Sequence, residues 1–180
     1  MGKVFLDMAM SLDGFVAGSN GEDVGLYNWY FAPSGNATAV IEELLQTIGA
    51  MVIGRRTFGD QPDGFDTPYK VPHFVLTHTA RPSVGNDGAT FIFVDSGIES
   101  ALAQAQAAAG EQAVCVAGGA ATAQQFLKAG LIDEVQLHLV PMLLGEGLRL
   151  FDHGAPMELE RTRVLESPGA THLLFRVVKE

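Results

Sequence analysis

The order of apolar segments along the chain constrains its fold more than any other feature. Strand-like apolar runs alternate with helix-like amphipathic segments over roughly the first two thirds of the sequence, and about eight runs qualify as strands. In the last third, strand-like runs follow one another directly. Alternation favours parallel pairing, and consecutive strands favour antiparallel pairing. We therefore predict an α/β fold whose mostly parallel sheet ends in an antiparallel C-terminal edge.

Three segments carry the helical pattern. In residues 37–49, "ATAVIEELLQTIG", apolar side chains recur at positions 40, 41, 44, 45 and 48, with polar ones between them. Residues 97–110 and 120–130 end at Gly110 and Gly130, where a helix C-terminus commonly has glycine. These segments are predicted to flank the sheet.

Composition limits the class of protein. The chain has 180 residues, enough for one domain with a real core, and we predict a single domain over 1–180. Its formal net charge of −10 argues against nonspecific nucleic-acid or anionic-membrane binding. Cys115 is the single cysteine and forms no internal disulfide. The N-terminal segment lacks the long apolar region of a signal peptide, so we expect a cytoplasmic protein.

A glycine pair, Gly118-Gly119, lies where the apolar run "AVCVA" meets the helical segment at 120–130. One interpretation is a tight turn, because glycine adopts backbone angles that side chains forbid. The other is a phosphate site, since the following helix offers free N–H groups and the positive end of its dipole. The spacing matches neither G-x-G-x-x-G nor the P-loop pattern, so the pair by itself favours the turn.

Two other strand ends carry groups that bind anions. One apolar run ends at Gly54 and is followed by Arg55, Arg56 and Thr57. Another ends in Thr77 and His78, with Arg81 close behind. The carboxyl ends of parallel strands share one edge of a sheet, so these groups can line a single groove that suits a dinucleotide.

The segment 11–33 is longer than most connections in compact domains, and its clustered aromatic residues argue against disorder, because they need something to pack against. It is either clamped on the core or a lid over a flat ring. Asp13 follows the first strand, where it either braces the loop as an Asx turn or serves as a catalytic acid. Asp23 and Glu42 are alternative acids, and we interpret His138, within a strand pattern, as structural.

Several segments, taken in order, resemble one family. "MSLDGFVAG", "MVIGRRTF", "FVLTH" and the stretch from Val116 to Phe151 are similar to the dihydrofolate reductase-like superfamily. The similarity is to its branch related to the reductase domain of the bifunctional riboflavin biosynthesis deaminase-reductase. The resemblance implies a central mixed eight-stranded sheet with flanking helices, an NADPH site, and hydride transfer to a small heterocycle or carbonyl-like carbon.

The resemblance also implies roles for particular residues. The cofactor-binding residues would be Gly54, Arg55, Arg56, Thr57, Thr77, His78, Gly118, Gly119, Ala120, Ala121 and Thr122. In dihydrofolate reductases the glycine pair is often joined by a cis peptide. Asp13 is the candidate catalytic residue, because the acid that dihydrofolate reductases carry shortly before a tryptophan has no clear counterpart here. Tyr27 and Trp29 would form a stacking wall for the substrate.

Several interpretations remain open. The leading one is an NADPH-dependent reductase of a small molecule, without a metal; a single cysteine excludes the zinc deaminase module. The alternative is a non-catalytic NADP(H)-binding sensor. A Rossmann dehydrogenase is disfavoured, because its fingerprint should follow the first strand. Related reductase domains pair through the region of Leu143, Leu144 and Leu148, so we expect a homodimer.

Overall fold

A computed structural model describes residues 1–152 and 154–179 as an α/β fold. The strands are β1 (Val4–Ser11), β2 (Phe15–Ala17), β3 (Ile48–Gly54), β4 (Pro72–Leu76), β5 (Val84–Asn86), β6 (Ala89–Val94), β7 (Ala113–Val116), β8 (Glu134–Val140), β9 (Leu148–Arg149), β10 (Leu159–Ser167) and β11 (Ala170–Val177). The helices are α1 (Asn28–Phe31), α2 (Asn36–Thr47), α3 (Arg55–Phe58), α4 (Ile98–Ala109) and α5 (Ala120–Lys128).

The main sheet has nine strands in the order β10-β11-β8-β1-β7-β3-β4-β6-β5. The six strands from β8 to β6 in this order pair in parallel, and β11 and β10 form the predicted antiparallel edge. All eight strand candidates are present. The expected count of eight is nevertheless wrong by one, because the three-residue β5 adds a second antiparallel edge beside β6.

A second, two-stranded sheet pairs β2 with β9. Strand β2 lies within the long segment 11–33, which also contains the short helix α1. This segment is therefore partly regular and is attached to the loop that follows β8. Of the two interpretations, the structure shows the one in which the segment is held against the protein.

Side chains of β1 alternate between the two faces of the sheet. Leu6 and Met8 belong to the core that packs on α4 and α5. Phe5, on the other face, packs with Val40 and Leu44 of α2. The buried stripe of α2 is narrower than predicted, since the side chain of Leu45 is 40% exposed.

The parallel strands end at one edge of the sheet, and the register shows which residues meet there. Val116 of β7 pairs with Leu6 of β1 on one side and with Val52 of β3 on the other. Gly54, the last residue of β3, pairs with Leu76, the last residue of β4. The residues that follow these strands are thus neighbours, as the sequence predicts. No helix in the described part of the chain is long and apolar enough to cross a bilayer.

Candidate active site

Two glycine-containing strand ends meet at the centre of this edge. The N–H of Gly54 donates a hydrogen bond to the carbonyl oxygen of Gly118, with 2.7 Å between nitrogen and oxygen. A Cβ on Gly54 would lie only 2.7 Å from Oγ1 of Thr122, which is buried in the first turn of α5. Glycine is required at position 54 because helix α5 approaches the strand end so closely.

The glycine pair has the cis peptide bond that the resemblance implies. Gly118 has φ +123°, a value that favours glycine, whereas Gly119 has φ −80° and extended geometry. Of the two glycines, Gly118 is therefore the one whose backbone angles restrict side chains, and Gly119 has angles that any residue adopts. Oγ1 of Thr57 lies 3.3 Å and 3.5 Å from the Cβ positions of Gly118 and Gly119, so the hydroxyl borders the pair.

The first turn of α5 offers backbone donors beside the glycine pair. The first helical hydrogen bond runs from the N–H of Ala123 to the carbonyl of Gly119. Among the described residues, the N–H groups of Ala120, Ala121 and Thr122 have no acceptor. Free N–H groups at a helix N-terminus, together with the helix dipole, favour a bound anion. The nine-residue length of α5 gives it a dipole of ordinary strength.

The two arginines after β3 differ in their contacts. Arg55 donates from Nη1 to the carbonyl of Gly59 and forms an ion pair with Asp60 at 3.1 Å. Arg56 is exposed and has no hydrogen-bond or ion-pair partner in the part of the chain that the structure describes. Arg56 is consequently the arginine whose guanidinium group is available to a ligand.

The loop after β4 completes the edge. The N–H of Thr77 donates to the carbonyl of Val94, which aligns the ends of β4 and β6. The hydroxyl of Thr77 accepts a hydrogen bond from the N–H of Thr79, and His78 is exposed. The guanidinium of Arg81 lies 4.0 Å from the ring centroid of Phe93, a cation–π contact that fixes it against the sheet.

Asp13 lies farther along the same edge, after β1. Its carboxylate accepts hydrogen bonds from the hydroxyl of Ser11 at 2.6 Å and from the N–H groups of Leu144 and Gly145 at 3.1 and 2.8 Å. The bond from Ser11 is the largest cause, and that from Gly145 the next, of a pKa lowered to about 2. At neutral pH the carboxyl group is therefore ionised and braces the loop after β8, whereas an Asx turn would bond the backbone of its own loop.

The aromatic residues of α1 are less open than a stacking wall requires. Trp29 is 5% exposed, and its ring lies 4.3 Å from the ring of His138 and 4.8 Å from that of His172. Its indole N–H is buried without a hydrogen-bond partner among the described residues. The hydroxyl of Tyr27 lies 3.4 Å from the N–H of Ala9, and burial raises its pKa.

Four side chains form a continuous series of hydrogen bonds. Sequence reasoning named none of them as a site residue and interpreted His138 as structural. Nε2 of His138 lies 2.8 Å from Oδ1 of Asp7, and its Nδ1 lies 2.7 Å from Nδ1 of His172. Nε2 of His172 lies 2.7 Å from the hydroxyl of Ser167. A sequence signal existed, because Asp7 interrupts an otherwise apolar strand, "VFLDMAM". We name this set the Asp7–Ser167 chain.

Neutral groups surround the Asp7 end of this chain. Burial, followed by the charge of Asp7, raises the pKa of Cys115 and of Tyr69. Burial also raises the pKa of Tyr30, which lies near Tyr69. Within the residues described, no group of three or more His, Cys, Asp and Glu side chains is arranged to hold a metal ion.

The mixed sheet, the glycine-lined ends of its parallel strands and the antiparallel hairpin beside β8 define an α/β protein of the dihydrofolate reductase-like class. The chain belongs to the RibD C-terminal domain family, whose pattern matches residues 2–173.

Known relatives agree with this assignment. The chain is 27% identical to YyaP of Bacillus subtilis (strain 168) over 162 residues, which cover 83% of this chain and 80% of YyaP. It is 26% identical to the riboflavin biosynthesis protein RibD of Corynebacterium ammoniagenes over 159 residues, which cover 83% of this chain and 46% of that protein.

Solved structures share the fold over nearly the whole chain. The crystal structure of the "Putative riboflavin biosynthesis protein" of Shewanella sp. PV-4 superposes with a TM-score of 0.75 at 26% identity, covering 99% of this chain and 100% of that one. The Thermotoga maritima diaminohydroxyphosphoribosylaminopyrimidine deaminase/5-amino-6-(5-phosphoribosylamino)uracil reductase gives 0.69 at 18% identity. The match covers 98% of this chain and 57% of that one, and it shows the fold alone.

Proposed function

We propose that this protein is an NADPH-dependent reductase that transfers hydride to a small heterocyclic or carbonyl-type substrate. The observation that carries the proposal is the junction of Gly54 with Gly118, next to the free N–H groups of α5. Membership of the RibD C-terminal domain family supports a reductase-type reaction. When bound, the cofactor supplies the hydride, and the protein binds, orients and protonates.

The residues at this edge fit a dinucleotide phosphate. The N–H groups at the start of α5 and the hydroxyl of Thr57 offer neutral donors for the diphosphate. Arg56 offers a guanidinium group with no competing partner among the described residues, which suits the adenosine 2′-phosphate of NADPH. The guanidinium group and these hydrogen-bond donors lie at one edge of the sheet, in a protein whose net charge is −10.

The experiment compares NADPH with NADH in a thermal-shift titration of the full chain. At a concentration of about 100 Kd, a ligand that binds only the folded state stabilises it by ~2.7 kcal/mol. We expect NADPH to raise Tm at lower concentration than NADH. No shift with either nucleotide would refute the proposal. Turnover is then followed as NADPH oxidation with acceptors that include 5-amino-6-(5-phosphoribosylamino)uracil, named for the Thermotoga relative.

The contacts of Asp13 favour a second candidate, a non-catalytic NADP(H)-binding sensor. An ionised, loop-bracing carboxylate has no proton to donate, which favours the sensor. The role of Asp13 as a catalytic acid remains a prediction. A sensor would bind NADPH in the thermal-shift experiment but oxidise it with none of the acceptors. Loss of turnover in Asp13→Asn with unchanged NADPH affinity would support the catalytic role of Asp13.

We also propose a homodimer that forms through the loop after β8 and the β10 edge. Leu143, Phe151 and Met157 are large apolar side chains exposed by 71%, 48% and 41%. Leu144 and Leu148 are only partly exposed, so Leu143 is the anchor of the predicted surface. Light scattering of the wild type and of Leu143→Glu tests this: we expect a dimer for the first and a monomer for the second, and a monomeric wild type would refute the proposal.

A further inference from the structure

Asp7 lies level with the glycine pair but on the opposite face of the sheet from α5. Leu6 pairs with Val116, and the terminal methyl carbon of Met8 lies 3.9 Å from the Cβ position of Gly118. Asp7 falls between these residues on β1, and its side chain points to the face that α2 covers. The side chain is 16% exposed, so this carboxyl group on a central strand reaches solvent.

Hydrogen atoms can be placed along the Asp7–Ser167 chain in two ways that satisfy all of its hydrogen bonds. Two imidazole nitrogens at 2.7 Å share one hydrogen, so one histidine ring donates and the other accepts. In the first arrangement, Ser167 donates to His172, His172 to His138, and His138 to an ionised Asp7. Both rings are then neutral.

The second arrangement reverses every bond. A protonated Asp7 donates to Nε2 of His138, Nδ1 of His138 donates to His172, and Nε2 of His172 donates to Ser167. The hydroxyl of Ser167 then donates to the carbonyl of Ala170, 3.2 Å away. The second arrangement holds one proton more than the first, and it leaves no donor in the chain without an acceptor.

We propose that Asp7 is the proton donor of the reduction and that His138, His172 and Ser167 carry protons to it from the hairpin between β10 and β11. The inference rests on the proposed reductase function. The acceptor gains a hydride at carbon and a proton at nitrogen or oxygen, the proton leaves Asp7, and oxidised cofactor remains. The ring hydrogens then exchange back to Nε2 of His138 and Nδ1 of His172, which restores the first arrangement. From it, Asp7 takes the Nε2 proton of His138, His138 takes one from His172, His172 takes one from Ser167, and Ser167 regains one from solvent.

The groups packed around the chain suit neutral proton carriers. Burial, followed by the neighbouring His138, lowers the pKa of His172 to about 4, so its ring is neutral at physiological pH. Tyr27 just before α1, Tyr30 of α1, Tyr69 before β4 and Cys115 of β7 face Asp7, and their pKa values are raised. The cation facing His172 is Arg163 of β10, which is paired with Glu43 at 2.7 Å.

Trp29 supports a site that admits a polar molecule. Its ring covers both histidines of the chain, and its buried N–H lacks a partner among the described residues. A buried donor without an acceptor is unfavourable, and an acceptor on a bound molecule would satisfy it.

The first test measures histidine tautomers by NMR of the protein labelled with ¹⁵N-histidine, over the pH range in which it remains folded and above the pKa of His172. We expect both rings to exchange tautomers at one common midpoint: His138 from Nε2–H to Nδ1–H and His172 from Nδ1–H to Nε2–H as pH falls. In Asp7→Asn, both rings should keep one tautomer throughout. Fixed tautomers in the wild type, or separate midpoints for the two rings, would overturn the proposal.

The second test uses Ser167→Ala with any acceptor that gives turnover. A broken proton path predicts a lower kcat, a larger solvent deuterium isotope effect and an unchanged Kd for NADPH. Ser167→Thr restores the hydroxyl and should recover most of the lost rate. A merely structural role would lower Tm without changing the isotope effect, and that result would overturn the proposal.

Asp7→Asn tests the donor itself. We expect hydride transfer in a single turnover to slow by ~10²–10⁴-fold, the usual contribution of a general acid, without loss of NADPH binding. An unchanged rate would overturn the role of Asp7. If the wild type switches tautomers but reduces no acceptor, the proposed function fails while the proton path stands, so the two failures are distinguishable.

Discussion

The N–H of Gly54 donates a 2.7 Å hydrogen bond to the carbonyl oxygen of Gly118, which joins the ends of two neighbouring parallel strands. The bond lies beyond the regular pairing of β3 with β7, which ends at Val52 and Val116. It fixes the position of the glycine pair relative to the end of β3. The start of α5 and the loop that carries the arginines are thereby positioned relative to each other.

Gly54→Ala should destabilise the protein by about 1–3 kcal/mol, the usual cost of overpacking. The new Cβ would lie 2.7 Å from Oγ1 of Thr122, whose branched side chain is stiff within a helix. Thermal unfolding measures the change. The double variant Gly54→Ala/Thr122→Ala should recover much of the loss, and Gly154→Ala, where a Cβ meets nothing within 4 Å, is the matched control.

Arg56→Ala should weaken NADPH binding by about 1.5–3 kcal/mol, or roughly 10- to 150-fold in Kd, because a charge-assisted hydrogen bond is lost. NADH lacks the 2′-phosphate and should be nearly unaffected. Arg55→Ala is the comparison variant. Because Arg55 is already bound to Gly59 and Asp60, its loss should lower NADPH affinity relative to NADH affinity less than the loss of Arg56 does. Titration calorimetry measures all three proteins, and equal losses for both nucleotides would contradict the assignment.

Gly119→Val should abolish NADPH binding while the fold remains. The φ of −80° accommodates a side chain, and the added Cβ would be 3.5 Å from Oγ1 of Thr57, an ordinary contact. The side chain would instead fill the space between backbone and cofactor. Circular dichroism checks the fold and a fluorescence titration checks binding; unchanged affinity in a folded variant would identify the glycine pair as a plain turn.

Asp13→Ala should speed hydrogen exchange at the amides of Leu144 and Gly145, because both donate to this carboxylate. Exchange is followed by NMR or mass spectrometry. Asp13→Asn keeps one acceptor oxygen, so its exchange rates should lie between those of Asp13→Ala and the wild type. If the rates at these two amides do not change, the loop is held by other contacts.

The stability of the protein should fall as pH decreases from about 6.5 towards about 4. Folding lowers the pKa of His172 from 6.5 to about 4, so within this window the unfolded chain binds more protons. The loss should be on the order of 2 kcal/mol, since each pKa unit corresponds to ~1.4 kcal/mol and partial screening reduces the sum. Urea unfolding at several pH values measures it. His172→Phe should flatten this dependence; an equally steep curve would assign it to other groups.

Apolar patterns that extend over many residues predict most of this fold. They do not predict strands of two or three residues or contacts between residues far apart in the sequence. The eight strand candidates all form, because each run is long enough to show its apolar pattern. Strands β2, β5 and β9 have two or three residues, which is too few for a period to appear. The contact between Asp7 and His138 spans 131 positions and depends on β1 lying beside β8, which the local sequence does not specify.

For Asp13, the sequence left two roles open, and the contacts that hold its carboxylate come from another loop. Its acceptors are used by amides of residues 144 and 145, far along the chain. The arginines show the same limit: Arg55 and Arg56 are adjacent and chemically equal in sequence. Only the folded loop, which brings Gly59 and Asp60 to Arg55, shows which of the two remains available.

The small sheet of β2 and β9 bears on efforts to transplant substrate preference between relatives. Phe15 pairs with Arg149, whose guanidinium lies 4.5 Å from the Phe15 ring centroid and donates to the carbonyl of Asp13. The amide of Gln124 in α5 also donates to the carbonyl of Arg149. A chimera that exchanges only the segment with β2 or only the segment with β9 would lose the contacts between Arg149 and residues 13 and 15. The two segments should therefore be exchanged together.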